Sequence, residues 1–507
     1  MHYRNTGHDF NGRSTGWGAL SIWTHHLKEF EFLPSHKVGP YSGRVARVSA
    51  GIETWEIYNY MSKFNMTMAV PGGDTVGPFG GWIAGGGHHF FSSLYGQGSD
   101  QVLGFQAVTA DGKYVTVSPN ANEDLFFAML GGGGSETPTF DLPRRERVTD
   151  GNTGTYGVLT SALVKAYPKT HMTNIQLKFE VGPVDRTLGS LPPGNFSRPR
   201  PENGSLPSPP RLNATRSSIA RTSSIETFWD GAWLYQYFSP VVQKAGGTLY
   251  SYVRPPTTPN GTNYALEVII KIPRPHTGAA RLVAPLYRDL HRIGIPAVAD
   301  PVDSPDTSAA AQATRTGLGG PPRNGYFGSR LFPTRLWDNT TVFNATFAAI
   351  RAAVEAGYTF HGVDHHAPLA VAGYPGNLTA VSPVWRDSYM HADLFESSFQ
   401  GFHTVGGPAP ATRFWEAYNR FNASMDGLRR ATPGGGAYVN EADVLEPNWQ
   451  GAFYSGVYER LLEVKRSRDP WGLFWAPTTP GSEAWAVEDG FGSGGLPTQN
   501  GRLCRTE

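Results

Sequence analysis

Two glycine-rich segments carry the residue types and spacing that suit cofactor chemistry. The first covers residues 4–14 (RNTGHDFNGRS) and the second covers residues 80–95 (GGWIAGGGHHFFSSLY). Both are flanked by β-prone residues, and a turn that lacks side chains lets backbone N–H groups approach and cradle an anionic diphosphate. The two segments therefore predict a dinucleotide cofactor.

Two other motifs suggest different chemistry. Residues 12–16 (GRSTG) formally match the G-x-S-x-G nucleophile elbow, with Ser14 as a hydrolase nucleophile. An elbow needs a helix after the serine, whereas the residues that follow (ALSIWT, 19–24) are β-prone. The run HGVDHH (361–366) has the composition of a metal site, but no second ligand cluster flanks it, so we interpret it as a polar loop. We predict no metal site.

The elements that must position these segments fall into two groups. From residue 19 to 168, short β-prone runs alternate with helices predicted near 52–64 and 122–130, and Asp111-Gly112 is typical of a tight hairpin turn. From residue 174 to 426, longer strands (NIQLKFEV, TLYSYV, LEVIIKI) alternate with amphipathic helices near 227–238, 279–293 and 341–356. The pattern predicts an α+β protein with two domains.

Two segments differ from their surroundings. Residues 135–154 interrupt what otherwise reads LGGGG-TYGVLTS, and residues 184–223 are rich in Pro, Ser, Asn and Arg with little apolar periodicity. Each is predicted to be a solvated, disordered loop. A sharper hypothesis is that one or both are retained non-coding sequence, which sequencing of the mature transcript would test.

Composition limits the class of partner. The chain has 507 residues, 39% of them hydrophobic, and a net charge of +1. We find no basic run of the kind that binds nucleic acid and no apolar stretch near the roughly 18 residues of a membrane span. We therefore expect neither a nucleic-acid partner nor a membrane partner.

The cellular compartment is predicted from glycosylation signals. The acceptor pattern N-x-S/T occurs nine times, where chance would give about two or three, so a secreted glycoprotein is favoured. No signal peptide follows Met1, and the single cysteine, Cys504, has no internal partner. The sites are Asn65, Asn195, Asn203, Asn213, Asn260, Asn339, Asn344, Asn377 and Asn422.

Several separate motifs, in order, resemble one flavoprotein family. They include NTGHDFNGRS, GGWIAGGGHH, NEDLFFAMLGGGG, TYGVLTSALVKAYP, YVNEADV and DPWGLFWAP. They are similar to the berberine-bridge-enzyme-like branch of the vanillyl-alcohol oxidase / p-cresol methylhydroxylase (PCMH-type) flavoproteins. The resemblance implies a PCMH-type FAD-binding domain of two α+β subdomains (1–172), a substrate domain with an antiparallel sheet flanked by helices (173–429) and a C-terminal segment (430–507) that returns to the FAD domain. Only seven residues precede His8, so it also implies that the first subdomain lacks its N-terminal unit.

The resemblance assigns cofactor residues position by position. His8 matches the histidine that the family links covalently to FAD, and Gly73 stands where doubly linked members have a cysteine, which implies attachment through His8 only. The other implied cofactor-binding residues are Thr6, Gly7, Asp9, Gly12, Arg13, Ser14, Gly80, Gly81, Gly85, Gly86, Gly87, Asp100, Val102, Tyr156, Gly157, Val158 and Asn440.

The oxidation of an alcohol needs a hydride acceptor and one base. The cofactor takes the hydride, while a protein group takes the hydroxyl proton. Tyr438 is the candidate base, because family members often place a tyrosine in this strand, although a core tyrosine with a satisfied hydroxyl remains equally open. A free phenol has a pKa near 10, so it needs help from a cation, for which Arg386 and Lys465 are candidates. Glu441 stands where many relatives have an aromatic residue.

The sequence thus predicts a secreted, monomeric FAD-dependent oxidase. It would transfer a hydride from an alcohol or sugar hydroxyl to covalently bound flavin and pass the electrons to dioxygen, giving hydrogen peroxide. The alternative is an inactive flavoprotein homologue that is truncated or stems from an incorrect gene structure, a secreted glycoprotein without catalysis.

Overall fold

Two predominantly antiparallel sheets form the framework of the chain. The structure is a computed structural model, and it describes residues 1–9, 11, 13, 16–133, 155–182, 219–258, 261–303, 326–396, 411–488 and 501–506. Among these residues, no helix combines the length and the apolar character needed to cross a bilayer.

The first sheet has six antiparallel strands. A short parallel pair, β1 (His2–Arg4) and β2 (Ser21–Trp23), precedes it. The six strands are β3 (Phe30–Val38), β4 (Tyr41–Ser49), β5 (Met66–Thr67), β6 (Val102–Thr109), β7 (Tyr114–Val117) and β8 (Gly157–Pro168). Their spatial order is β3-β4-β8-β6-β7, and β5 pairs with the end of β8.

Three helices accompany this sheet: α1 (Thr54–Lys63), α2 (Ser92–Tyr95) and α3 (Glu123–Ala128). A capping box formed by Glu53 and Glu56 starts α1, and Ile57 and Met61, one turn apart, are buried. Gly112 has φ +79° in the turn that joins β6 to β7, so the hairpin predicted at Asp111-Gly112 is confirmed.

The second sheet has eight strands. They are β9 (Thr173–Val181), β10 (Ala220–Thr222), β11 (Thr248–Arg254), β12 (Ala265–Ile272), β13 (Val302–Asp303), β14 (Tyr326–Pro333), β15 (Thr359–Asp364) and β16 (Ser388–Glu396). The order is β10-β9-β12-β11-β15-β16-β14, with β13 beside β9, and all neighbours are antiparallel except β10 and β9.

Among the described residues of this half of the chain there are six helices. They are α4 (Ile225–Lys244), α5 (His276–Arg292), α6 (Thr340–Glu355), α7 (Leu369–Ala372), α8 (Pro383–Arg386) and α9 (Ala411–Ala431). The helices predicted near 227–238, 279–293 and 341–356 are confirmed as α4, α5 and α6, with somewhat different ends. The predicted α+β class is also confirmed.

The second sheet has two different faces. Leu249 and Phe360 lie in an apolar core that the sheet shares with its helices. Successive residues of a strand point to opposite faces, so Tyr250 and His361 lie on the other face, where the Tyr250 hydroxyl is 3.5 Å from Nδ1 of His88 in the first domain. Polar side chains on this face therefore contribute to the contact between the domains, beside apolar residues such as Leu331 and Trp385 that join the first core.

The C-terminal segment packs into the core of the first domain. It contains α10 (Tyr458–Arg468) and a small antiparallel pair, β17 (Trp485–Glu488) and β18 (Arg502–Arg505). Its residues in the first core are Ala437, Tyr438, Val439, Ala442, Ala452, Phe453, Tyr454, Tyr458, Leu461, Leu462 and Val464. The segment that follows the second sheet thus completes the core of the first.

Two predictions about loops need correction. Residues 361–364 of HGVDHH belong to β15, and Asp364 and His365 are buried, so the run is not a polar loop. Phe360 and Asp364 lie on one face of the strand and His361 and Val363 on the other, and both faces are largely buried. In the segment predicted as disordered, residues 220–222 form β10 against β9. Residues 135–154 and 184–218 lie outside the described residues.

Asp364 gives the fold a pH dependence. Its carboxylate is fully buried, accepts hydrogen bonds from Tyr235 (2.6 Å) and Gln236 (3.1 Å), and has a pKa raised by burial to about 7. Between about pH 4 and pH 7, the folded state holds a proton on Asp364 that the unfolded chain has released. The contribution of this proton to the free energy of unfolding is therefore complete below about pH 4 and is lost as the pH rises to about 7.

We therefore expect Asp364→Asn to flatten the pH profile of stability. Between about pH 4 and pH 7, the free energy of unfolding of the wild type should fall relative to the variant by about 1.4 kcal/mol per pH unit. Urea unfolding across this range measures the difference. The exposed Asp338, changed to Asn, is the control. Parallel profiles for the wild type and Asp364→Asn would contradict the expectation.

Candidate active site between the two sheets

The opening loop and the segment before the second glycine turn contact each other directly. Thr6 Oγ1 accepts a hydrogen bond from the backbone N–H of Gly77 (3.1 Å). Nε2 of His8 lies 2.9 Å from Oγ1 of Thr75, and the His8 side chain is buried. The structure therefore brings the two glycine-rich segments, which are about 70 residues apart in sequence, into one site.

Asp9 and Arg13 hold the loop closed. Oδ1 of Asp9 accepts from the backbone N–H groups of Asn11 (2.7 Å) and Arg13 (3.0 Å), and burial raises the pKa of this carboxyl while Arg13 lowers it. The fully buried Arg13 donates from Nη1 to the carbonyl of Val439 (2.9 Å). The loop is thus fixed to the C-terminal segment. The predicted cofactor residues Gly12 and Ser14 lie outside the described residues.

The glycines of the second turn allow close packing by side chains of other segments. A Cβ at Gly85 would lie 2.2 Å from Oδ1 of Asn440, and one at Gly80 would lie 2.6 Å from Nδ2 of Asn5. The carbonyl of Gly81 accepts from Nδ2 of Asn440 (3.1 Å). Gly7, Gly86 and Gly87 have φ values of +107°, +116° and +75°, a region that favours glycine.

Two buried oxygen atoms in this region that receive no hydrogen bond fit a bound FAD, although Oδ2 of Asp9 also lies 3.7 Å from Nη1 of Arg13. Among the described residues, Oδ2 of Asp9 and Oδ1 of Asn440 are buried without a hydrogen-bond partner. Such an atom costs about 1–3 kcal/mol, so a ligand group that donates hydrogen bonds is expected at each. The ring N–H and ribityl hydroxyls of FAD are groups of that kind, and the loop of His8, the glycine turn and Asn440 would hold it.

The remaining predicted cofactor residues are parts of strands or of ion pairs. Val102 begins β6, whereas Gly157 and Val158, which begin the antiparallel β8, pair with Thr109 and Val108 at the other end of β6. The buried Tyr156 donates to the carbonyl of Gly132 (3.2 Å). Asp100 is fully buried, and both of its oxygens accept from the Arg386 guanidinium (2.6 and 2.7 Å).

Tyr438 lies in the site, but its predicted cationic helpers do not contact it. The Tyr438 hydroxyl accepts from Nδ2 of Asn440 (2.7 Å), and its ring centroid is 4.3 Å from that of Trp385. Arg386 instead pairs with Asp100, and Lys465 pairs with Asp469 (2.7 Å). The proposal of a cation-assisted Tyr438 is therefore wrong in its choice of cations.

A buried network of imidazoles and carboxylates lies beside Tyr438, and no sequence motif had indicated it. Glu441 connects Nε2 of His88 (3.0 Å, to Oε1) with Nε2 of His391 (2.6 Å, to Oε2). On the same sheet face, Nδ1 of His361 is 3.2 Å from Oδ2 of Asp393. The alternation of β16 places His391 and Asp393 on one face, and this was the available signal.

The two carboxyls of the network have opposite pKa shifts. Burial acts to raise the pKa of Glu441, but contacts with His88 and His391 outweigh it and hold the pKa below the usual range. Burial raises the pKa of Asp393 well above its ordinary value, and the neighbouring Glu441 adds to this although His391 opposes it. Glu441 is thus ionised at neutral pH, whereas burial favours the protonated form of Asp393. Environments that separate two such pKa values are typical of acid–base sites.

Comparisons with the sequences of known proteins also point to an FAD-binding protein. The family model of the FAD binding domain matches residues 1–118, and the one described as "Berberine and berberine like" matches residues 437–479. The chain is 29% identical over 511 residues to the FAD-linked oxidoreductase patO of Aspergillus clavatus, covering 99% of this chain and 73% of that protein.

Solved structures give the same relationship. The crystal structure of the VAO-type flavoprotein MtVAO615 from Myceliophthora thermophila has a TM-score of 0.76 and 25% identity, covering 100% of this chain and 77% of the other. The glucooligosaccharide oxidase of Acremonium strictum, at 15% identity and a TM-score of 0.63, shares the fold, with 95% of this chain and 85% of that chain covered. The chain is therefore similar over nearly its whole length to FAD-linked oxidoreductases, and it shares the fold of vanillyl-alcohol-oxidase-type and berberine-bridge-enzyme-like flavoproteins.

Proposed function

We propose that this FAD-dependent oxidoreductase oxidises a CH–OH group of a small alcohol or carbohydrate and passes the electrons to dioxygen, giving hydrogen peroxide. The observation that carries the proposal is the position of the glycine turn and His8 loop against a sheet face that bears acid–base side chains. When bound, FAD supplies the hydride acceptor. The protein must then bind the alcohol, orient it and accept its hydroxyl proton.

The side chains of the second sheet support a hydroxyl-bearing substrate. Tyr250, Tyr252 and His361 lie on the face that contacts the first domain, and the rings of Tyr252 and His361 stack at a centroid distance of 4.3 Å. Aromatic rings with polar edges bind both the apolar faces and the hydroxyls of sugars and aromatic alcohols. A glucooligosaccharide oxidase has a similar fold, which supports the carbohydrate class.

A substrate panel tests this proposal directly. The purified flavoprotein would be mixed with glucooligosaccharides, chitooligosaccharides, vanillyl alcohol and an aliphatic alcohol, while peroxide and oxygen are both followed. We expect at least one of these alcohols to release peroxide in an amount equal to the oxygen consumed. Flavin that stays oxidised with every member would refute oxidation of CH–OH groups. Reduction without oxygen uptake would instead show a dehydrogenase.

The cofactor is proposed to be attached through His8 alone. His8 is buried in the loop that meets Thr75 and Gly77, and Gly73 stands in the segment where a second linkage would need a cysteine. A single linkage at His8 would tie the flavin to the loop that Arg13 fixes to the C-terminal segment.

We also propose that the protein is secreted and N-glycosylated. Four of the acceptor asparagines, Asn65, Asn339, Asn344 and Asn377, are exposed in the structure. We expect protein secreted by a eukaryotic host to lose mass when its N-glycans are removed enzymatically, and Asn→Gln changes at these four sites to reduce the loss stepwise. An unchanged mass after treatment of secreted protein would contradict the proposal.

A further inference from the structure

We propose that His391, oriented by Glu441, accepts the hydroxyl proton of the substrate, so that the base is a carboxylate–imidazole pair and not Tyr438. This inference deepens the proposed function and rests on it. His391 is then the catalytic residue of the proton step, and Glu441 is a positioning residue.

The hydrogen bonds of His391 fix its tautomer. Nε2 lies 2.6 Å from Oε2 of the ionised Glu441, so Nε2 carries the hydrogen and donates it. Nδ1 then holds a lone pair, and among the described residues it is a buried atom with no hydrogen-bond partner. A buried imidazole nitrogen without a partner is costly, and a substrate hydroxyl is the group that would satisfy it. An imidazole that is fixed at one nitrogen and free at the other is the arrangement of a general base.

The groups around His391 come from four parts of the chain. The ring centroids of His88, Tyr438 and Trp385 lie 5.6, 5.3 and 6.4 Å away, and Asp393 Oδ1 is 3.3 Å from Nε2. The ring of His365 contacts that of His88, at a centroid distance of 6.0 Å. Among these neighbours, Glu441 carries a negative charge at neutral pH. The negative charge of Glu441 therefore stabilises an imidazolium formed at His391.

The alternative base, Tyr438, has less support. Its hydroxyl accepts from Asn440 (2.7 Å), and the cations expected to assist it are paired elsewhere, Arg386 with Asp100 and Lys465 with Asp469. An ordinary phenol, with a pKa near 10, does not ionise at neutral pH without such help.

The same cluster has a composition that suits a metal ion, but its distances favour shared protons. Ligand atoms of His88, His391 and Glu441 lie within 4.8 Å of one another. Around a tetrahedral zinc ion with bonds of about 2.0–2.1 Å, neighbouring ligand atoms are about 3.3 Å apart. The contacts of 2.6 and 3.0 Å between Glu441 and the imidazoles are shorter and are those of hydrogen bonds.

The O–H bond of the alcohol breaks, and its proton forms a new N–H bond at Nδ1 of His391. The electron pair left on oxygen becomes the second carbon–oxygen bond as the hydride leaves the carbon for the flavin. The substrate loses two electrons, the flavin gains them, and the positive charge on the imidazole is balanced by Glu441.

The tautomer can be tested without a substrate. The holoprotein would be prepared with ¹⁵N-labelled histidine, and the His391 signals would be assigned by their loss in His391→Gln. We expect Nδ1 without hydrogen and Nε2 with hydrogen at neutral pH, and a change of this pattern in Glu441→Gln. A His391 that carries hydrogen on Nδ1 at neutral pH would overturn the inference, and so would one stoichiometric metal ion per chain by elemental analysis.

The catalytic role is tested by the rate of flavin reduction under anaerobic conditions, with the panel alcohol that gives the highest turnover. His391→Gln should lower this rate by about 10²–10⁴-fold, and Glu441→Gln by about 10–100-fold with the KM little changed. The double variant should be no slower than His391→Gln alone, because the two residues act as a unit. His366→Gln, a half-buried histidine bonded to the carbonyl of Ser388, is the matched control.

The outcome separates the two bases and the two proposals. A His391→Gln enzyme that keeps its rate while Tyr438→Phe loses a hundredfold or more would overturn the inference. If no panel alcohol reduces the flavin, the proposed function fails, and the ¹⁵N measurement still decides the tautomer.

Discussion

Replacing His8 with alanine is expected to abolish covalent flavin binding. The side chain is buried in the loop that meets the second glycine segment, with Nε2 2.9 Å from Oγ1 of Thr75. Gly73 offers no thiol for a second bond. If His8 forms the linkage, acid-precipitated wild-type protein stays yellow, and the His8→Ala pellet is colourless. Mass spectrometry of the peptide that contains residue 8 should show the added flavin mass in the wild type alone.

A control variant and a folding measurement accompany this experiment. His26→Ala, which removes an exposed histidine of the same domain, should keep the covalent colour. We expect His8→Ala to fold, because Asp9 and Arg13 still close the loop. Unfolding followed by circular dichroism tests this expectation. A His8→Ala variant that retains flavin in the acid pellet would disprove attachment at His8.

Replacing Arg386 with leucine is expected to destabilise the protein by about 3–5 kcal/mol, the usual cost of leaving one partner of a buried ion pair alone. Asp100 is 0% exposed, and it receives two hydrogen bonds from Arg386, at 2.6 and 2.7 Å. Asp100 belongs to the first domain and Arg386 ends α8 of the second half, so the pair also joins the two sheets. Urea unfolding of the holoprotein measures the loss.

An exposed pair of the same type is the matched control. Arg351 binds both oxygens of Glu226 at 2.8 Å, but the Glu226 side chain is 70% exposed. Arg351→Leu should cost less than about 1 kcal/mol, since solvent screens such pairs. The double variant Asp100→Asn/Arg386→Gln should recover part of the loss, because it removes the unpaired charge. Equal costs for Arg386→Leu and Arg351→Leu would show that burial of the pair does not matter.

Much of the fold could be predicted from local patterns. Strict alternation in the segment of β9 and 3.6-residue periodicity in α4, α5 and α6 gave the correct element types, because these segments each bury one face. Strands β14 and β16 were missed. The β16 sequence, SYMHADLFE, is buried on both sides, so its polar residues obscure the alternation that identifies a half-buried strand.

The site was predicted in part for a similar reason. Two segments, the loop around His8 and the glycine turn, indicated the cofactor from sequence alone. Glycine at these positions reflects a local requirement of the backbone. The pairing of Asp100 with Arg386 could not be predicted, because the two residues are 286 positions apart and meet only when the two halves of the chain pack together.

The sequence by itself indicated the cofactor class, the α+β architecture and the resemblance to a flavoprotein family, because these depend on motifs and periodicities contained within short segments. The tertiary structure alone decided which acid–base groups meet. His88 lies in the glycine turn, His391 in β16 and Glu441 in the C-terminal segment, and no local pattern connects them. Their hydrogen bonds exist because the C-terminal segment packs into the first core and thereby lies against the polar face of the second sheet.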